Sequence, residues 1–404
     1  MRLVRTVLVR APHVGLLRLG RFDERIAAHL DGVAVSGAFG MTLAQRTLER
    51  AGKGEVFMVT VRALEDADTR RLDALLAISE TESGCRAGLL SAFGWVSPGI
   101  LQGLAQRLLT SPSAWRREVG LTACLMHGVD PGPALKAALS VPDAGLRGRA
   151  LRTAGRIARV DLLGHCLAAL VDDDARCRYE AACAALLLGD RGESVSAMAA
   201  MVISGGPFSL AALRLVLKTV PVRHAQAMLA QLSKEPSRLR TLICGIGMAG
   251  DPQLVPWLIA QMEDLKLMRL AGESFSFITG LDLAYLDLER KPPEGVDFGP
   301  NDDPADENVE MDQDDGLPWP DAAKIAAWWQ ANGVRFSHGA RYFMGEPPSP
   351  GHCVRVLSTG YQRQRIAAAQ YLSLLTPGTP LFDTRAPALR QRRLLARMTV
   401  GAVA

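Results

Sequence analysis

Six apolar runs follow one another at a spacing that barely varies, and that spacing limits what this chain can fold into. The small or apolar residue eight positions before each break advances from Gly120 to Ala150, Ala181, Ala212, Leu242 and Gly272, in steps of 30, 31, 31, 30 and 30. The breaks fall at Gly128, Ala158, Gly189, Val220, Gly250 and Gly280. At so constant a period each repeat is one supersecondary element that cannot bury its apolar face alone and must stack on its neighbours. The expected fold is all-α, a solenoid of stacked helix pairs. It offers an extended surface more than a closed catalytic cleft, which favours binding over chemistry.

Composition agrees with helices packed through small residues. The 404 residues are 48% hydrophobic and only 5% aromatic, whereas sheets draw on β-branched and aromatic side chains. The 46 basic residues against 42 acidic leave a net charge of +4, too balanced to imply nucleic acid. Arg2, Arg5 and Arg10 interrupt the apolar residues before Asp23, so no signal-peptide core is expected there. The longest uncharged run, between Glu193 and Arg214, is broken by Gly205-Gly206-Pro207, so no membrane span is expected and the reading is cytoplasmic. Seven cysteines lack CxxC pairs and read as reduced core residues.

Four segments follow. Residues 1–80 read as a helical cap, with short helices near 22–30, 39–51, 54–65 and 68–79. Residues 81–283 carry the repeats, which are of HEAT type. Residues 284–320 form an acidic, Pro-rich insertion, and 321–404 hold a final repeat near 362–376 and a basic tail. Arginine stands three residues before the anchor at Arg117, Arg147, Arg178 and Arg269. It serves either to bridge acidic turns and carbonyl groups between repeats or to form a basic ladder; Asp143 and Asp174, four residues before Arg147 and Arg178, speak for the first.

The insertion concentrates charge: eight of the fourteen residues from Asp302 to Asp315 are acidic, and no basic residue occurs between Lys291 and Lys324. Such a block cannot pack by itself and is expected to meet a partner or the chain's own arginine-rich tail, Arg385 to Arg397. The candidate partner-binding residues are Asp302, Asp303, Asp306, Glu307, Asp312 and Asp314, with Trp319 and Trp328 beside them and Arg363 and Arg365 in the last repeat. A calcium site is disfavoured because the spacing lacks the EF loop's Gly and closing Glu. Trp residues beside acidic ones also suit an interface hot spot.

Nothing in the chain carries a recognisable catalytic pattern. The seven histidines are scattered, and His165-Cys166 and His352-Cys353 are adjacent residues that point about a hundred degrees apart on a helix. There is no G-x-S-x-G elbow, H-E-x-x-H helix or Walker loop. No catalytic residue, metal or cofactor is assigned.

Several motifs together resemble a family of proteobacterial HEAT-repeat proteins: Phe22 to Gly32, Gly54-Glu55-Val56-Phe57, Ile278 to Leu283, Gly299 to Pro304 leading to Leu317-Pro318-Trp319-Pro320, and Gln362 to Pro387. Members are often encoded beside type VI secretion components, so the resemblance implies a protein that handles secretion cargo. It transfers no catalytic residues. The expectation is a non-enzymatic adaptor or chaperone for a secretion effector or spike protein. The alternatives are an immunity protein against a toxin and, less favoured, a nucleic-acid-binding solenoid of the DNA glycosylase type.

Overall fold

The computed structural model describes residues 1–296, 299 and 311–401. All regular structure among them is helical, and β-pairing is confined to three isolated bridges, Gly15 with Tyr361, Glu289 with Pro320 and Phe343 with Glu346. The chain divides into two compact units. Unit 1 gathers residues 1–10, 14–197 and 357–404, and unit 2 gathers 11–13 and 198–356.

In unit 1, the inner helices of successive repeats stack in sequence order: Lys53–Glu65, Ser83–Trp95, Ala114–His127, Ala144–Arg156 and Ala175–Leu187. A shorter outer helix lies beside most of them, as Leu104–Leu109 does beside Ala114–His127. The anchors Ala150 and Ala181 have no exposed surface, as expected of positions where one helix meets the next. The period therefore begins at Lys53–Glu65, inside the segment read from sequence as a cap. Short polar side chains start the helices: Asp68, Ser113, Asp143 and Asp174 each accept the backbone N–H three residues on. With Asp143 and Asp174 used as caps, Arg147 turns to Asp172 of the next repeat. It donates through Nε at 2.6 Å and Nη2 at 2.8 Å, while Arg178 donates to the carbonyls of Asp172 and Asp173. Arg147 thus bridges to the next repeat, whereas Arg178 holds the turn before its own helix.

The second helix runs through the expected break at Asp31-Gly32, spanning Leu16–Val35. Nothing lies within 4 Å of the side of Gly32, so its cost of about 1 kcal/mol is a propensity cost only. Burial of Leu16, Leu19, Ile26 and Leu30 on one face outweighs it.

Four inner helices of unit 1 end alike. At Ala67, Gly128, Ala158 and Gly189 the chain turns left-handed, and the N–H groups of that residue and the next close onto carbonyls of the last turn. Ala158 does this with a Cβ, at φ 61°, a conformation that costs an L-residue about 1–2 kcal/mol. Ala158→Gly is therefore expected to stabilise unit 1 by about 0.5–1 kcal/mol after the entropy of the glycine is deducted. A rise in the urea midpoint at unchanged slope would show it; a fall would contradict the reading.

The carboxyl-terminal segment returns along the ends of these helices as a strap. Pro377 abuts Gly189, the N–H of Leu381 donates to the carbonyl of Arg156 at 2.8 Å, and Arg390 donates to the carbonyls of Met126 and Val96. Helix Ala388–Gly401 then packs on Leu16–Val35, where Asp23 accepts from Arg5 and from the N–H of Ala388. Helix Gln362–Leu375, read from sequence as a last repeat, belongs to unit 1 and packs against Ala175–Leu187.

Unit 2 stacks Ser209–Val216, Leu239–Ala249 and Met268–Thr279, with Val222–Leu232 and Val255–Gln261 as outer helices. It has a strap of its own. Arg341 donates to the carbonyls of Lys218, Val220 and Ala249, Tyr342 pairs with Gly250, and Met344 and Gly345 donate to Phe277 and Ile278. Both straps satisfy helix-end carbonyls that would otherwise have only water.

Candidate binding surface

The ends of the acidic insertion are fastened together. Arg290 donates its N–H to Trp319, and Asp321 donates its own to Leu288. Asp302, Asp303, Asp306 and Glu307 lie outside the described residues. Asp312 and Asp314 are described, and both meet repeat arginines within unit 2. Arg269 grips Asp312 with two bonds of 2.7 and 2.9 Å and donates to the carbonyl of Asp314; Arg240 holds the Asp314 carboxylate at 2.6 Å. Trp319 lies 4.6 Å from Arg269, its ring facing the guanidinium. Burial works to raise the pKa of Asp312, but the Arg269 bonds, the N–H of Asp314 and the charges of Arg269 and Arg240 outweigh it and leave the pKa lowered.

Trp328 is half-buried and meets Phe275 edge-on, in an aromatic chain that continues through Trp329 and Phe336 to Tyr342. It fastens helix Ala322–Asn332 to the inner helix Met268–Thr279. Arg363 donates to the carbonyl of Arg10 in unit 1. Arg365 has no exposed surface; it donates to the Leu357 carbonyl and to the side-chain oxygens of Gln362 and Gln391, and burial lowers its pKa to about 10. The described residues of the candidate set are thus divided between the units: Asp312, Asp314 and Trp319 come together in unit 2, and Arg363 and Arg365 sit at the base of the strap in unit 1.

A different group of charged side chains lies on the inner helices of unit 1. Arg149, Arg152 and Arg156 stand at i, i+3 and i+7 on helix Ala144–Arg156, one face of the helix. Arg149 pairs with Glu118 of the preceding repeat at 2.9 Å, and Arg152 with Glu180 of the following one at 3.0 Å. On the following helix Arg176, Tyr179, Glu180 and Cys183 share one face, and burial pushes the Cys183 thiol up to about 12. It stays protonated and is no nucleophile at neutral pH. The strap brings Asp383 and Arg385 to this group, because Leu381 is bonded to the end of the helix that carries Arg156. Sequence reasoning missed the group by following only the arginines three before each anchor. The signal was there: Arg147, Arg149, Arg152, Arg156 and Arg159 fall within thirteen residues.

Four further titratable groups serve packing. His127 and His352 each place Nε2 2.7 Å from a carbonyl, of Phe93 and Phe343, and burial is the main cause of the lowered pKa of His127. Cys85 and Cys177 donate their thiols to Ala51 and Ala144 across neighbouring repeats. Among the described residues no group of His, Cys, Asp and Glu has the arrangement of a metal site, and no single helix is long and apolar enough to cross a membrane. No protein-family model matches the chain, and no curated protein matches it.

Proposed function

We propose that this chain is a non-enzymatic protein-binding scaffold of the cytoplasm, acting as adaptor or chaperone for a type VI secretion effector or spike component. The observation that carries the binding role is an apolar row left uncovered on helix Gly37–Thr47: Phe39 is 76% exposed and Leu43, one turn on, 55% exposed. Large apolar groups grouped on one face stabilise the chain little and suit a protein partner. Val35, at the end of the preceding helix, is 89% exposed as well. The resemblance to proteins encoded beside secretion components supports the choice of partner, and the acidic run Asp302, Asp303, Asp306 and Glu307 supplies charge for association.

Co-expression with spike and effector proteins of the same bacterium, followed by co-purification, tests this. The Phe39→Asp, Leu43→Asp double variant is expected to weaken the complex at least about tenfold while the melting temperature moves by less than about 2 °C. Retention of the complex by the variant would reject the surface. Binding of the chain to lipid vesicles, and to no secretion protein, would reject the adaptor reading.

A further inference from the structure

We propose that the outward face shared by helices Leu16–Val35 and Ala388–Gly401 of unit 1 docks on an anionic lipid bilayer, its arginines meeting the headgroups while Leu17 and Leu389 enter the acyl boundary. This goes beyond the scaffold reading and does not depend on it. The geometry begins where the two helices touch. Asp23 accepts the N–H of Ala388 at 2.8 Å, and a Cβ on Gly20 would stand 2.6 Å from Nη2 of Arg392 and 3.5 Å from Cβ of Ala388. A step back along the first helix, from Asp23 to Gly20, is thus a step forward along the second, from Ala388 to Arg392. The two run antiparallel at their contact.

That direction decides which side chains share a face. At about 100° per residue, Leu17 stands roughly a quarter turn from the contact residues Gly20 and Asp23, and Leu389 roughly a quarter turn in the same sense from Ala388 and Arg392. In an antiparallel pair, equal turns in the same sense lead to one side. Each leucine then heads a row at i, i+4 and i+8: Leu17, Arg21 and Arg25 on one helix, Leu389, Arg393 and Arg397 on the other. All six are exposed, the leucines by 61% and 59%. The same short pattern stands twice on one surface, in opposite directions.

Charge and apolar exposure together select the partner. Elsewhere in unit 1 arginines find carboxylates, as Arg5, Arg147, Arg149 and Arg152 do. Among the described residues none of the four arginines on this face does so, and Arg25 lies over the ring of Phe22 on its own helix. Helix Ala388–Gly401 carries no carboxylate, and Glu24 is the one exposed carboxylate between Leu17 and Arg25. Four cations against one acid fit an anionic partner. The leucines narrow it further: nucleic-acid phosphates would engage the arginines and leave two exposed leucines without a role. A bilayer uses both, because an arginine stem lies along apolar surface while its guanidinium reaches the headgroup layer.

The test is sedimentation of the full chain with phosphatidylcholine vesicles containing about 30% phosphatidylserine, against pure phosphatidylcholine, at about 0.1 M salt. The anionic vesicles are expected to bind at least about tenfold more tightly, and the preference to shrink as salt rises. The double variant Arg21→Glu, Arg393→Glu should weaken that binding at least about tenfold, and the milder Arg21→Gln, Arg393→Gln should weaken it less. Leu17→Ser, Leu389→Ser should weaken it at least about threefold. Arg70→Glu, Arg107→Glu changes the charge of unit 1 as much as the first variant, at exposed positions on other helices, and should bind as the parent does. All the substituted side chains are exposed, so each melting temperature should move by less than about 2 °C. Equal binding to the two kinds of vesicle would overturn the proposal, as would full binding by the arginine or the leucine variants or an equal loss in the control. A single-stranded oligonucleotide that displaces the chain from vesicles, and binds the leucine variant as tightly as the parent, would assign the face to nucleic acid instead. Co-purification of a secretion protein through Phe39 and Leu43 is a separate readout, so failure of either result leaves the other standing.

Discussion

Gly250→Ala is expected to lower the stability of unit 2 by about 3–5 kcal/mol. The residue ends an inner helix at φ 70°, and a Cβ there would stand 2.1 Å from the Tyr342 carbonyl oxygen, a backbone atom that cannot rotate away. The strap would have to lift, and lifting it breaks the pairing of Tyr342 with Gly250 and strains the three carbonyl bonds of Arg341. Gly128 is the control. It ends an inner helix of unit 1 at φ 67°, but nothing lies within 4 Å of where a Cβ would be. Gly128→Ala is therefore expected to cost only the left-handed backbone term, about 1–2 kcal/mol. Urea unfolding followed by tryptophan fluorescence measures both. Equal losses at the two positions would mean that the strap contributes nothing to holding unit 2.

Arg269→Met is the second large effect, about 3 kcal/mol, because it leaves Asp312 without its bidentate partner and Asp314 with one cation fewer. The same pair gives unit 2 an acid-sensitive arm. The folded pKa of Asp312 is lowered below the unfolded value, so its contribution is present in full above about pH 4 and is lost as pH falls through the folded pKa. Asp172, lowered chiefly by its bond from Arg147, acts with the same sign in unit 1. Stability measured between pH 6 and 2.5 should therefore fall less steeply in Arg269→Met than in the parent. Parallel curves would show that the pair does not titrate as described.

How legible this was depends on the distance over which each feature acts. The helix pairs are local, and a period of thirty residues was enough to locate the buried anchors Ala150, Ala181, Ala212 and Leu242. The aspartate caps at Asp174 and Asp321 were legible for the same reason, since a cap acts within three residues. The partners of charged groups were not. Arg269 meets Asp312 across 43 residues and Arg240 meets Asp314 across 74, and nothing in a one-dimensional run of acidic residues says which of them will find a cation. Arg365 occupies the repeat arginine's register but folds into a glutamine-lined interior of unit 1. The straps were invisible too, because their sequence is irregular and their hydrogen bonds go to carbonyls, which carry no residue identity.

The strap of unit 1 also sets a schedule. A simple solenoid lets each repeat dock as it leaves the ribosome, since every contact is with a neighbour. Here the carbonyl of Val96 waits for Arg390, made 294 residues later, which at ordinary synthesis rates is a delay of about 15–60 s. Throughout that interval the repeats of unit 1 stand with their helix ends open to water or to whatever else can donate hydrogen bonds to them. A chain released before its last twenty residues would leave the Val96 and Met126 carbonyls in that condition, so quality control acting on exposed helix ends would be able to distinguish a truncated product from a finished one.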